Sequence, residues 1–325
     1  MSKVTGNFRK KMNCWGREGR PFLFLLDFAL RQPVVVYLDE IDPEEILFDI
    51  NGIRNFVEEP VDNSPVYFTA IPVSRERYYQ AFSLVQQHIR RGDTFLLNLT
   101  LPSRVESNLS LKQLFFRSKA KYKIYYKDRF TCFSPEIFVQ TQGDVIRSFP
   151  MKGTLDACVE NACEKLLSSK KELAEHFTIV DLIRNDLSMV AREVEVPRFR
   201  YVERIKTNKN EILQMSSEIR GRLLPEFLYA PGDMLLKILP AGSISGAPKK
   251  KTLEIIHEAE GYDRGFYTGV FGIFDGRNID SGVMIRFIEK TANGLVYKSG
   301  GGITAQSSCE EEYNELIEKI YVPLA

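Results

Sequence analysis

Strand-like and helix-like stretches follow one another along this chain without a regular beat, and that irregularity constrains the fold more than any other feature. An even strand–helix alternation would build a doubly wound sheet or a barrel. Here residues 22–28 and 34–38 are β-branched, aliphatic or aromatic runs that read as core strands. Residues 94–100 and the alternating Tyr122-x-Ile124-x-Tyr126 read the same way, and Gln142-Gly143-Asp144 between two further runs is a hairpin signal. Helical spacing enters in between. Ser74 caps a stripe of Tyr78, Phe82, Val85 and Ile89 that stops at Gly92, and residues 159–192 carry Leu173, Phe177, Val180, Ile183 and Leu187 at intervals of three or four. Short strands at 194–196, 199–205 and 211–219 follow, with a short helix near 234–239. Residues 269–274 and 283–288 then read as a strand pair, and a final acidic helix carries Glu312, Glu315 and Lys319. The expected class is α+β, with large antiparallel β-sheets packed face to face and helices on the outside. Residues 1–325 are expected to form a single catalytic domain, to which residues 1–74 add strands.

With 325 residues, 44% of them hydrophobic, the chain can bury a large core, so disorder and fibrous repeats are excluded. Lys and Arg number 44 against 43 Asp and Glu, with no long block of one sign, so neither a nucleic-acid groove nor a membrane surface is expected. Asp27 and Pro33 interrupt the apolar start, which argues against a signal peptide, and no stretch approaches the ~20 apolar residues of a membrane span. Five scattered cysteines without a C-x-x-C pair suit a reducing cytoplasm.

Several segments carry chemistry. The loop Ala241-Gly242-Ser243-Ile244-Ser245-Gly246-Ala247 opens a helix with Pro248 at an early position, and its backbone N–H groups can hold a carboxylate or phosphate. Its glycine spacing is not that of a nucleotide P-loop, and a turn with a helix cap is the plainer alternative. Gly300, Gly301 and Gly302 end a strand and either admit a ligand close to the backbone or form a bulge. Glu312 with Glu315, and Glu172 with Glu175, lie three apart on helices. Such carboxylates suit Mg²⁺ where they do not simply face solvent, and the chain offers no His/Cys set for zinc. Lys152, in Phe149-Pro150-Met151-Lys152-Gly153-Thr154, stands at the end of an apolar strand, where desolvation is expected to lower its pKa and free its lone pair for attack, a surface strand end being the plainer alternative for a lone lysine. Glu136 also adjoins a strand and is a candidate general acid. The histidines and cysteines show no nucleophile elbow, so hydrolysis of glutamine by this chain is not expected.

Taken in order, these segments resemble the chorismate-utilising enzymes, the family of anthranilate, isochorismate and aminodeoxychorismate synthases. The resemblance runs from about Arg75 to the C-terminus through Gly92-Asp93, Ser134-Pro135-Glu136, the Lys152 motif, Glu175-His176, Asp181-Leu182-Ile183-Arg184-Asn185-Asp186, the 242–249 loop, Ile285-Arg286, Gly301-Gly302-Ile303 and Glu312-x-x-Glu315. Within the family, the P-x-K-G-T form resembles the aminodeoxychorismate synthase branch, since anthranilate synthases usually carry alanine at the lysine position. The resemblance implies that Lys152 attacks chorismate while Glu136 protonates the departing hydroxyl. It implies Mg²⁺ held by Glu175 and Glu315 with Glu312 close by, and substrate held by Arg286, Lys319, Thr154, Ser245, Gly246, Gly301 and Gly302. Ammonia would come from a separate glutamine amidotransferase (glutaminase) subunit, on the route to p-aminobenzoate and folate. Leu96 stands where amine-adding members usually have Gln and isochorismate synthases a Lys, which counts against isochorismate formation. Anthranilate synthase component I is the nearest rival, and a non-catalytic small-molecule-binding subunit is the rival of another class.

Overall fold

Phe22–Leu26 is buried at all five positions, and the reason lies in its two faces. Phe22, Phe24 and Leu26 pack under helices with Met12, Trp15, Val180 and Ile183, whereas Leu23 and Leu25 meet Phe48, Ile124, Phe130 and Phe287. A strand covered on both sides reads as an unbroken apolar run. The computed structural model describes residues 3–57, 64–206 and 211–324. It contains two nine-stranded sheets in which the strand pairings are antiparallel. Phe22–Leu26 lies in the first sheet, and the strands that bear Phe48, Ile124, Phe130 and Phe287 lie in the second. The shared cluster between them shows face-to-face packing, with helices on the outer faces. The fold is α+β, as expected.

Several local expectations are corrected. Residues 283–288 are not half of a strand pair. Val270–Phe274 pairs instead with Ile279–Val283, after which the chain crosses at Ile285 and Arg286 into the other sheet and begins Phe287–Thr291. Met284 and Ile285, which lead into the crossing, are as apolar as the strands it joins, so composition hides the break. The helical stretch from 159 is two helices, Ala162–Ser168 and Lys170–Ser188, parted at Ser169, whose hydroxyl accepts from the Glu172 N–H. The first two short strands after it form one strand, Ala191–Lys206, with register shifts and left-handed backbone at Glu193 and Arg200, and the third is the separate strand Glu211–Leu223 that pairs with it. Lys3–Glu18 is a helix that the basic start concealed, although Phe8, Met12 and Trp15 mark its buried stripe. All five cysteines are free. Among the described residues, no helix is long and apolar enough to cross a membrane.

Candidate active site

The site is built on the strand Gly294–Ile303, paired with Leu96–Ser107 so that Gly300 faces Thr100, Gly301 faces Leu99 and Gly302 faces Asn98. Successive residues of a strand point to opposite sides, so Lys298, Gly300 and Gly302 share a face with Leu96 and Asn98. A Cβ on Gly302 would meet only the tip of Leu96, at 3.2 Å, whereas one on Gly300 would run into the Leu99 carbonyl oxygen, and the cavity of about 160 Å³ lies along this strand. Gly301 points the other way. A Cβ there would come within 3.3 Å of Glu312 Oε2 and Glu315 Oε1, so this glycine makes room for two carboxylates. The run closes its strand, as expected, with ladder pairing continuing one residue further to Ile303.

Lys152 enters this cavity from the strand Met151–Asp156. The register against Glu211–Leu223 shifts between Met151 and Thr154, and Gly153 takes φ +88°. Such a bulge re-aims a side chain. Lys152 Nζ lies 2.7 Å from Glu175 Oε2, with 29% and 22% of the two side chains exposed. Burial pulls the amine down, but Glu315, Glu175 and Glu172 together hold it above the ordinary lysine value. The expectation of a desolvated, lowered amine is therefore corrected: the surrounding carboxylates outweigh burial and favour the ammonium.

Lys319 closes the same acidic end. Its Nζ donates to Gly300 O at 2.9 Å and to Glu315 Oε1 at 2.6 Å. Here burial prevails, with Lys152 and Arg286 adding positive charge, and the amine sits below its usual value despite Glu315. Glu312 Oε1 accepts from Ser307 at 2.8 Å, while its Oε2 is buried without a hydrogen-bond partner. Burial and then neighbouring Glu315 hold the Glu312 carboxyl above the ordinary range. An orphaned carboxylate oxygen among like charges fits a hard divalent cation. Among the described residues, no three acidic, histidine or cysteine side chains are already gathered as a ligand set, and Glu175 and Glu315 are engaged by lysines.

Glu136 stands across the cavity, just past Ser134, whose hydroxyl accepts its N–H. Ser243 Oγ donates to Glu136 Oε1 at 2.9 Å. Burial raises the Glu136 carboxyl above its ordinary value against the opposing influence of Ser243, Arg286 and Lys319, which favours the protonated form. Arg286 sits at the crossing between the sheets in left-handed backbone (φ +54°), its guanidinium 5.0 Å from the Tyr321 ring, and its buried Nε has no hydrogen-bond partner. The cavity thus has an acidic end, a cationic wall and a buried carboxyl facing the Lys152 side chain. An outer cleft of about 630 Å³ shares Glu136, Lys152, Glu175, Arg286 and Lys319 with it.

The structure gathers Lys152, Glu136, Glu175, Arg286, Gly301, Gly302 and Lys319 on one cavity wall, with Glu315 lining the outer cleft. Ser245 and Gly246 are not on either wall. Ser245 Oγ donates to Ala241 O at 2.8 Å, and Gly246, at φ +125°, lies against Leu96 O, where a Cβ would clash. Nor is the 241–247 loop an open anion site, because Gly242 N–H is already given to Asp186 Oδ2 at 2.8 Å and the helix it opens has four residues. Pro248 is the N-cap of the next helix, Lys249–Glu260, rather than part of its first turn. Thr154 lies in the Lys152 strand, and its side chain is outside those described. Sequence reading passed over Ser243, Asn98, Tyr267 and Lys298, all on the wall. Ser243 had a signal in its loop; the others lacked one.

Residues 39–325 match the family described as chorismate binding enzyme. A Pasteurella multocida protein named "uncharacterized PabA-like protein" is 48% identical over 318 residues, 98% of each chain. Aminodeoxychorismate synthase component 1 of Bacillus subtilis is 31% identical over 269 residues, covering 78% of this chain and 56% of that protein. The crystal structure of anthranilate synthase component I from Streptococcus pneumoniae superposes with a TM-score of 0.66 at 28% identity, over 81% of this chain and 60% of the other.

Proposed function

The chain belongs to the chorismate-binding enzyme family, and from that premise we propose that it is an aminodeoxychorismate synthase component I, joining ammonia to chorismate to give 4-amino-4-deoxychorismate and water. One observation carries this choice within the family: the Lys152 amine projects into the cavity that Glu136 faces. Attack by neutral Lys152 Nζ on ring carbon C2 forms a C–N bond, the ring double bonds shift, and the C4–O bond breaks as Glu136 gives its proton to the departing hydroxyl. Ammonia then adds at C4, the bond to Lys152 breaks with its electron pair returning to nitrogen, and the new C4 ammonium returns a proton to Glu136. Two modest barriers replace one steep one.

Chorismate carries two carboxylates. Arg286 and Lys319 would grip one, by a planar fork and a point charge respectively. Mg²⁺ held by Glu175, Glu315 and Glu312 would supply positive charge against the other. Gly302 keeps the floor open enough for a ring to lie on it, and Gly300 lets the neighbouring strand approach. A separate glutamine amidotransferase subunit would deliver the ammonia, and a separate lyase would release p-aminobenzoate for folate. The five free cysteines suit the cytoplasm. Strands near the N-terminus pair within both sheets, which supports one catalytic domain over residues 1–325.

The test is product analysis of purified protein with chorismate, Mg²⁺ and ammonium salt. The expected product is 4-amino-4-deoxychorismate with pyruvate retained. Fluorescent anthranilate would instead identify the anthranilate synthase reaction, and unchanged chorismate would favour a binding subunit.

A further inference from the structure

One carboxylate closes the whole 241–249 loop. Asp186, on the helix Lys170–Ser188, accepts the Gly242 N–H through Oδ2 at 2.8 Å, and its Oδ1 lies 2.6 Å from Lys249 Nζ at the far end of the loop. Gly242 allows that approach, since a Cβ there would stand 3.1 Å from Asp186 Oδ2. Lys249 Nζ is fixed in turn by Ile238 O at 2.8 Å. Within the tied loop, Ser243 is the polar side chain that reaches the cavity, and it donates to Glu136. Behind Glu136 lies a void of about 20 Å³ bordered by Ser148, Ile183, Asp186, Gly242 and Ser243.

We infer that Asp186 is a positioning residue that sets Ser243 against Glu136 and so fixes the acid's orientation toward the substrate cavity. This rests on Glu136 being the acid of the proposed reaction. The same helix carries Glu175 against Lys152, so one element supports the amine and, through Ser243, the acid opposite it. A hydrogen bond donated to a carboxylate favours its charged form. The charged groups facing Glu136 are Arg286 and Lys319, with Asp186 across the void and Lys152 and Glu175 across the main cavity.

The test is a double-mutant cycle on the full chain, followed by loss of chorismate so that it runs whichever product forms. Ser243→Ala is expected to lower kcat about tenfold, the worth of one hydrogen bond to an ionisable group, with KM within about twofold. The alkaline limb of the rate profile should move to higher pH. Ser243→Thr should restore both. Asp186→Asn should lower kcat in the wild-type background yet cost nothing further once Ser243 is alanine. If Asp186→Asn does not fold, Lys249→Gln releases the other end of the same tie and is read in its place. An equal loss in both backgrounds, or an alkaline limb that Ser243→Ala leaves unmoved, would overturn the inference. If the wild type yields anthranilate, the functional reading fails, while the coupling between Asp186 and Ser243 is still measured.

Discussion

Two lysines share one cavity, each within 2.7 Å of a glutamate, and their amines are driven in opposite directions. Lys152 meets carboxylates from separate elements, Glu175 of the long helix and Glu315 of the C-terminal helix, and its charge is reinforced. Lys319 meets its partner from its own helix at i,i+4, with Lys152 and Arg286 nearby and burial prevailing, and its charge is weakened. The nearest partner does not decide a lysine's state; the summed field of the pocket does. The carboxylates around Lys152 thus favour its charged form, and the proposed attack requires that hold to be relieved. Lys319 is suited to gripping an anion while its neighbours supply charge.

The sharpest way to break this comparison is Lys152→Ala. Removing a nucleophile is expected to cost ~10³-fold or more in kcat with the fold intact. A loss within about twofold would make Lys152 structural and leave Lys319 as the reactive amine. Glu136→Gln comes next, with an expected loss of ~10²-fold. Its wild-type pH dependence has a definite sign: an acid with a raised pKa is active below that pKa, so the rate should fall as pH rises through it, and this limb should vanish in the variant. Lys319→Met should mainly raise KM, by about tenfold, with kcat changed less. An effect confined to kcat would place Lys319 in the chemistry instead. A separate effect, on stability rather than rate, lies behind the Lys152 strand. Buried His176, 2.7 Å from Ser217 Oγ, is lowered by burial from 6.5 to about 4. The unfolded chain protonates this residue first, so stability should decline by roughly 3 kcal/mol as pH drops from 6.5 to 4. Thermal melts of His176→Asn, flat over that window relative to wild type, would check it.

Much of this was legible in the amino acids, and the failures share a cause. Phe22–Leu26 announced a buried strand because burial on two faces leaves no polar alternation to obscure it. Lys152 stood out by its motif, and Glu136, Arg286 and Lys319 by their place in an ordered family pattern. The charge of Lys152 was not legible, because Glu172, Glu175 and Glu315 reach it from segments far along the chain. Ser245 was read as a ligand where Ser243 is the one on the wall. The four-residue helix at Gly242–Ser245 turns them to different sides, a periodicity too short to read from sequence. Residues 283–288 looked like a strand because Met284 and Ile285, which lead into the crossing between sheets, are apolar too, yet that crossing is what sets Arg286 on the cavity wall.

Intact-protein and peptide mass spectrometry after exposure to chorismate and Mg²⁺ without ammonia tests the central claim most directly. A covalent adduct equal to chorismate less one water, mapped to Lys152 and discharged when ammonium is added, is the predicted result. An unmodified chain that still turns over when ammonia is supplied, or an adduct mapped to Lys319, would contradict it.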